Sequence, residues 1–510
     1  MKGEIDVLKL KKILICLLAA ALAAGSFAGC SQQTANTSTG DSGNDSGNSE
    51  EKVELTWYMP VAAQADHDAV MEEVNKYLEE KMNCTLNIIE IDGGNFDTKM
   101  QTTIAGQTPF DLTFTAHWLN NFYTNVNKKA YLELDDLLKE HAPNLMKDMP
   151  ENGWEAAKVD GKIMAVPNQQ IWAMTNVIYI VKDYVDEYKL DVSTVNDLSD
   201  LTSFFEAVKA DHPEIYPMYA DKGGILDFQT FVMGYDELAG RHIPGVVMLD
   251  DENLEVINQF ELPQVQEHYK LMYEWNQKGI IRKDIATLDN DKAGLKAGKY
   301  IARFDGTMKP GGQATIEADF GGKEAVQIQL SDSWLPTSGI TATMTAVSRT
   351  SKNPEKAVEF LDLVNSDVYL YNLITQGIEG KHYNKIEGKE NYIAPIENSG
   401  YTPNMDWAYG NQYLAYLKEG QDEDTWEQTQ EINNTAKASP ALGFAFDSTK
   451  VQTEMASVSA VKAEYELALD SGSMDPDKYM PEFLEKLENA GAQKIIDEVQ
   501  RQVDEWKKTK

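Results

Sequence analysis

The chain has 510 residues, 42% of them hydrophobic, enough to bury the cores of two large lobes or three modest domains. Its 46 basic residues stand against 82 acidic ones, a formal net charge of −36 with no basic stripe, which argues against a nucleic-acid partner because phosphate binding draws its affinity from clustered Lys and Arg. Three cysteines, Cys16, Cys30 and Cys84, supply no disulfide framework, and Cys84 beside Thr85, Leu86, Ile88 and Ile89 reads as a buried strand residue.

Lys2, Lys9, Lys11 and Lys12 precede an apolar run from Ile13 to Ala24 that is too short for a permanent span but suits a secretory h-region, so 1–29 reads as a signal peptide. Phe27, Ala28, Gly29 and Cys30 resemble a bacterial lipobox, which implies a lipid on the Cys30 thiol and attachment to the membrane. Residues 31–50 are mostly Ser, Gly, Asn, Thr, Gln and Asp without a large apolar side chain, which makes 30–50 a lipidated cysteine with a flexible tether.

Val53, Leu55 and Trp57 alternate with polar residues as a first strand. A helix over 66–82, a strand over 85–91, a helix near 98–105 and a strand over 110–115 follow. That order predicts a parallel sheet covered by helices, with ligands at the carboxyl ends of its strands. Trp57, the turn from Asn95 to Asp97, and His117 with Trp118 would then share one rim. Further on, an amphipathic helix over 132–140, a hairpin over 158–166 turning at Asp160 and Gly161, and a strand over 176–181 are expected. Helices near 197–210 and 263–278 and short strands near 215 and 246 suggest a second α/β lobe. After the strand from Tyr300 to Arg303, Asp305 sits in a strand-end loop as a candidate acceptor for ligand hydroxyls. The C-terminal part reads as one long helix near 481–506.

Local signals for serine hydrolase, zinc protease or P-loop chemistry, G-x-S-x-G, H-E-x-x-H and G-x-x-x-x-G-K-[ST], do not occur. Asp289, Asp291 and Gly294 match part of a calcium loop, but Ala293 and Tyr300 stand where oxygen donors are needed, so no metal is expected there. Paired Gly223 and Gly224, or Gly311 and Gly312, serve turns rather than a dinucleotide. No catalytic residue, metal or cofactor is assigned.

In the stretch SKNPEKAVEFLDLVNSDVYLYNLITQGIEGKHY, Pro354 suits a first helical position and two apolar-periodic segments end at Gly377. They deliver a loop in which Glu379 and His382 are candidate polar ligands. The wording AVEFLDLV followed by QGIEGKHY, together with the block from Gly443 to Trp506, resembles the extracellular solute-binding lipoproteins of ABC importers, in the branch of oligosaccharide binders. GKIMAVP, Gly161 to Pro167, is similar to the family where the chain first crosses between lobes.

The resemblance implies an α/β, two-lobe periplasmic-binding-protein-like (Venus flytrap) fold with hinge crossings and extra C-terminal helices. It implies residues 51–167 and 300–345 in the N-terminal lobe, 168–299 and 346–440 in the C-terminal lobe, and a helical block over 441–510 packed on both. It places Asn168, Gln169, Gln170 and Trp172 in the cleft. A sugar offers apolar faces to aromatic rings and hydroxyls to polar groups, so Trp57, Trp118, Trp172, Trp334 and Trp407 are candidate stacking residues. Asn95, Asp97, His117, Gln170, Asp305, Glu379 and His382 are their polar counterparts. The expected protein is a monomer on the extracellular face of the bacterial membrane, held by lipid on Cys30, passing an oligosaccharide or other small polar solute to the transmembrane subunits of a permease. A peptide carrier and a surface-anchored glycan-degrading enzyme are the alternatives.

Overall fold

The computed structural model describes residues 52–220, 224–225, 230–288 and 291–509. The expected signal segment 1–29, Cys30 and the tether over 31–50 lie outside the described residues, as do Gly223 and Asp289.

Strand β1 (Val53–Met59) pairs in parallel with β2 (Cys84–Glu90), Trp57 opposite Ile88. Between them α1 (His67–Met82) lays Val70, Met71, Val74 and Leu78 on the core at three- and four-residue spacing. Asn83, at φ 50°, ends the helix in the left-handed conformation and turns the chain directly into β2. Helix α2 (Gly93–Ala105) starts at Asp92, whose side chain accepts the Gly94 N–H, and leads through buried Phe96 and Met100 to β3 (Leu112–Thr115) on the other side of β1. The order strand, helix, strand, helix, strand is thus the one the periodicity predicts. Cys84 is fully buried in β2, and burial pushes its thiol up to about 11.

Asp160 and Gly161, both at positive φ, close the expected hairpin between Lys158–Val159 and Lys162–Ile163. Strand β4 (Val166–Pro167) completes the passage through the first sheet, and the chain then crosses to β5 (Val177–Val181), five consecutive buried residues inside a second sheet. That sheet is filled by β6 (Met218–Tyr219), β7 (Ala302–Asp305) and β8 (Ala325–Gln329) in the order β8-β5-β7-β6. Helix α3 (Pro263–Lys278), begun by its proline and ended by left-handed Gly279, buries Met272 and Trp275 below it. The chain returns through β9 (Trp334–Leu335) to β10 (Met344–Val347), giving the first sheet the order β2-β1-β3-β10-β4. Helices α4 (Pro354–Val364) and α5 (Val368–Gln376) then add Phe360, Leu361, Leu370 and Tyr371 to the first core.

These memberships redraw two expected boundaries. Strands β7 and β8, within 300–345, belong to the second sheet, and α4 and α5, within 346–440, pack on the first. The cause is β10, which enters antiparallel between β3 and β4; such a return needs no crossover helix, so the lobe change falls in 330–343, just before it.

Helix α6 (Thr425–Thr435) and β11 (Lys437–Ala438), which runs parallel to β9, carry the chain across once more. Then α7 (Gln452–Asp470), α8 (Pro476–Ala490) and α9 (Ala492–Trp506) share a core with Tyr235, Phe260 and Tyr269. The single long helix expected near 481–506 is two helices. They break at Gly491, φ 103°, where a Cβ would meet the Glu454 side chain at 2.6 Å, so glycine is required there.

Candidate functional site

Strands β3 and β4 end, and β10 begins, along one rim of the first sheet. The segment Thr341 to Thr343, which feeds β10, is gripped from both sides. The His117 N–H donates to the Thr341 carbonyl at 3.0 Å, and the Asn168 N–H donates to that of Thr343 at 2.9 Å. Between them the Trp118 indole Nε1 donates to the Ala342 carbonyl at 2.8 Å. Its polar edge is thereby satisfied and its ring left 52% exposed. The ring stands edge-on to buried Phe114, 6.1 Å between centroids, and half-buried Trp407 meets the same Phe114 at 6.2 Å. One phenylalanine of β3 thus buttresses two indoles at the rim, an arrangement suited to the apolar face of a ring-shaped ligand.

Polar groups flank the indoles. His117 Nδ1 and Asn168 Nδ2 are buried beneath them and find no hydrogen-bond partner within the protein. Burial pushes the His117 imidazole down to about 4, with the Thr341 carbonyl opposing and the Arg241 charge adding to the shift, so at neutral pH it is an uncharged donor or acceptor. Since the folded value lies below the ordinary 6.5, the folded state binds fewer protons; the stability this confers is complete above pH 6.5 and lost as pH falls toward 4. His117→Gln is expected to flatten that part of the curve of Tm against pH between 7 and 4.5, measured by calorimetry.

Among the described residues three segments cross between the lobes side by side: 168–176, 330–343 and the stretch through α6 and β11. Met174 and Trp334 exchange both backbone hydrogen bonds, at 2.7 and 2.9 Å, and β9 pairs with β11, so the crossings form a narrow ladder of their own. Trp334 is half-exposed within it, with the Lys437 ammonium 5.6 Å from its ring. Asp305 ends β7 beside the first crossing, paired with Arg303 at 3.2 Å, and the Met308 N–H donates to the Thr175 carbonyl at 3.0 Å. The Gln170 side chain reaches Thr343 Oγ1 at 3.5 Å. His117, Trp118, Gln170, Asp305, Trp334 and Trp407 therefore gather at the rim and crossings.

Trp57, Trp172, Asp97 and His382, also expected at the site, are committed to contacts within the protein. Trp57 is fully buried, edge-on to Phe360 and Tyr409, because β1 runs two residues past it and places it mid-sheet between Ile88 and Leu112. Trp172 is buried too, its Nε1 donating to the Asn168 carbonyl at 2.8 Å. Asp97 accepts the Asn120 N–H at 2.6 Å, and Asn95 and Glu379 are exposed. His382 has both ring nitrogens engaged: Nδ1 accepts the Ile378 N–H at 2.8 Å and Nε2 faces Asp66 at 3.2 Å. Lys381 and His382 together hold the Asp66 carboxyl below its usual range. His382 thus pins its loop to the start of α1 and offers nothing to a ligand. A cavity of about 630 Å³ between α1 and β2, lined by Glu54, His67, Asp68, Glu72, Asn75 and Thr85, includes none of the rim residues. Sequence reasoning places Asn168 in the cleft but does not single out Thr343 or Asn433 of α6, whose importance arises only from which strands meet.

Two α/β lobes joined by adjacent crossings, with aromatic rings on the rim beside them, define the class of two-lobe solute-binding proteins. Residues 440–508 match the family described as a domain of unknown function, DUF3502. The chain is 29% identical, over 87% of its length and 89% of the relative's, to a carbohydrate ABC transporter substrate-binding protein of Streptococcus pneumoniae serotype 4 (strain ATCC BAA-334 / TIGR4). It superposes with TM-score 0.80 and 28% identity on the N-glycan transport solute binding protein NgtS from Streptococcus pneumoniae, covering 89% of this chain and 99% of that one. With NgtS in complex with Man5GlcNAc the TM-score is 0.71, again at 28% identity, over 90% and 99% of the two chains. The chain has the two-lobe fold of the solute-binding proteins and is similar in sequence to those that serve ABC importers of carbohydrate.

Proposed function

We propose that the protein captures an oligosaccharide between its lobes and delivers it, chemically unchanged, to the transmembrane subunits of an ABC permease. The observation that carries this reading is the pair of indoles, Trp118 and Trp407, set against Phe114 at the strand ends beside the crossings. Stacking faces flanked by uncharged polar groups suit a neutral polyhydroxylated ligand. Similarity to NgtS, whose structure in complex with Man5GlcNAc is matched over 99% of its length, favours a mannose and N-acetylglucosamine oligosaccharide as cargo.

Closure follows from differential contact. A ligand that touches both lobes only when they meet stabilises the closed form by its extra affinity for it, and the permease reads that shape. Lipid on Cys30 and the tether over 31–50 would hold the lobes at the outer face of the membrane while leaving them free to turn. No bond in the cargo need be made or broken.

A thermal-shift panel of glycans and peptides tests the reading. Man5GlcNAc or a close relative is expected to raise Tm in proportion to the logarithm of its concentration, about 2.7 kcal/mol of added stability at one hundred times Kd. A response to peptides alone, or release of smaller sugars during incubation, would overturn it.

A further inference from the structure

The first crossing leaves the first sheet at Pro167 and reaches the second at Val177, and along 170–173 its backbone belongs to neither sheet. Backbone groups buried outside a ladder must find other partners. One side chain supplies them. Asn433 Oδ1 accepts the N–H of Trp172 at 2.8 Å and of Ala173 at 2.9 Å, while its Nδ2 donates to the Gln170 carbonyl at 2.7 Å and to Tyr413 Oη at 2.9 Å. The Tyr413 hydroxyl in turn donates to the same Gln170 carbonyl at 2.8 Å. Asn433 is buried and lies in the last turn of α6, the helix from which the third crossing departs; Trp426 and Ala436 fasten that helix to the core of the first lobe.

We infer that Asn433 is a positioning residue for lobe closure, acting as a surrogate strand that fastens the first crossing to α6 so that neighbouring crossings bend as one hinge. The inference rests on the proposed capture function and assigns the part of the chain that governs it. The primary amide suits the role because two acceptor sites and two donors are presented from one planar group, and the crossing offers two N–H groups and a carbonyl in matching positions. Below the clamp, Met174 and Trp334 take up ordinary pairing, so the clamp covers just the residues that the ladder does not. With it in place, bending is confined to the ends of the crossings, and Gln170, fixed by its carbonyl, keeps its side chain toward Thr343.

The test uses the full chain with Asn433→Asp, which keeps the acceptor for Trp172 and Ala173 but sets an oxygen against the Gln170 carbonyl, and Tyr413→Phe as a milder second variant. Affinity for Man5GlcNAc is read by calorimetry, compaction on adding it by small-angle X-ray scattering, and protection of the amides at 172 and 173 by hydrogen exchange. We expect Asn433→Asp to weaken binding about tenfold, within the usual range of conformational coupling, and to reduce the compaction; Tyr413→Phe should move both in the same direction by less, and Asn433→Leu, which also removes the acceptor, should speed exchange at those amides. Folded variants with native affinity and compaction overturn the inference. So does a fall in Tm accompanied by neither change, the mark of a purely structural role. Should the native chain bind no glycan, the functional reading fails instead, and unaltered exchange at amides 172 and 173 in Asn433→Leu would overturn the clamp by itself.

Discussion

Replacing Trp118 by alanine is expected to weaken oligosaccharide binding by about 2 kcal/mol, roughly 30-fold in Kd, while leaving Tm within a degree or two of the native value. The two effects separate because the ring is 52% exposed and rests edge-on against Phe114 without being enclosed. Little packing is lost on its removal. What disappears is the flat face and its fixed tilt, and the tilt is set by the single hydrogen bond from Nε1 to the Ala342 carbonyl. Trp118→Phe should recover part of the affinity, since a smaller ring can still stack but lacks that anchor. Isothermal titration with Man5GlcNAc beside a thermal melt decides the matter: equal affinity in Trp118→Ala would remove the aromatic rim from the binding site.

Trp57→Ala should do the reverse. The side chain is fully buried, held edge-on at 5.6 Å from Phe360 and 5.5 Å from Tyr409, and it ties the middle of the first sheet to α4. Emptying such a site costs about 3–5 kcal/mol, a large fraction of the roughly 5–15 kcal/mol that holds a typical domain together. Chemical denaturation should show a much lower midpoint, and the molecules that remain folded should bind glycan with native affinity. Trp57→Phe is expected to cost less than its lost volume suggests, because the indole Nε1 has no hydrogen-bond partner and its removal relieves a buried unpaired donor. Weakened affinity in the folded fraction would return Trp57 to the ligand.

These two tryptophans mark how far sequence reading reaches. Both stand near the ends of predicted strands, and composition cannot tell one from the other. The difference is register. Trp57 falls opposite Ile88 and Leu112 with strands on both sides, whereas Trp118 lies three residues beyond the last residue of β3. A shift of a few residues along a strand decides whether an indole is core or rim, and a single sequence locates strand ends no better than that. His382 teaches the same lesson in another form. Its loop has the glycines and polar residues of a binding segment, yet Asp66, 316 positions earlier, occupies its Nε2.

The chain itself determined whatever depends on local periodicity and capping. Apolar residues every three or four positions made α1, α4 and α5; alternation made β1; and Asp160 with Gly161 made the hairpin, since these choices are settled within one turn of backbone. Tertiary structure alone decided which sheet received β7 and β8, where the chain crossed back, and that one asparagine of α6 would hold a crossing segment about 260 residues away. Those outcomes are set by pairings between distant segments, whose energies come from contacts that no window of neighbouring residues contains.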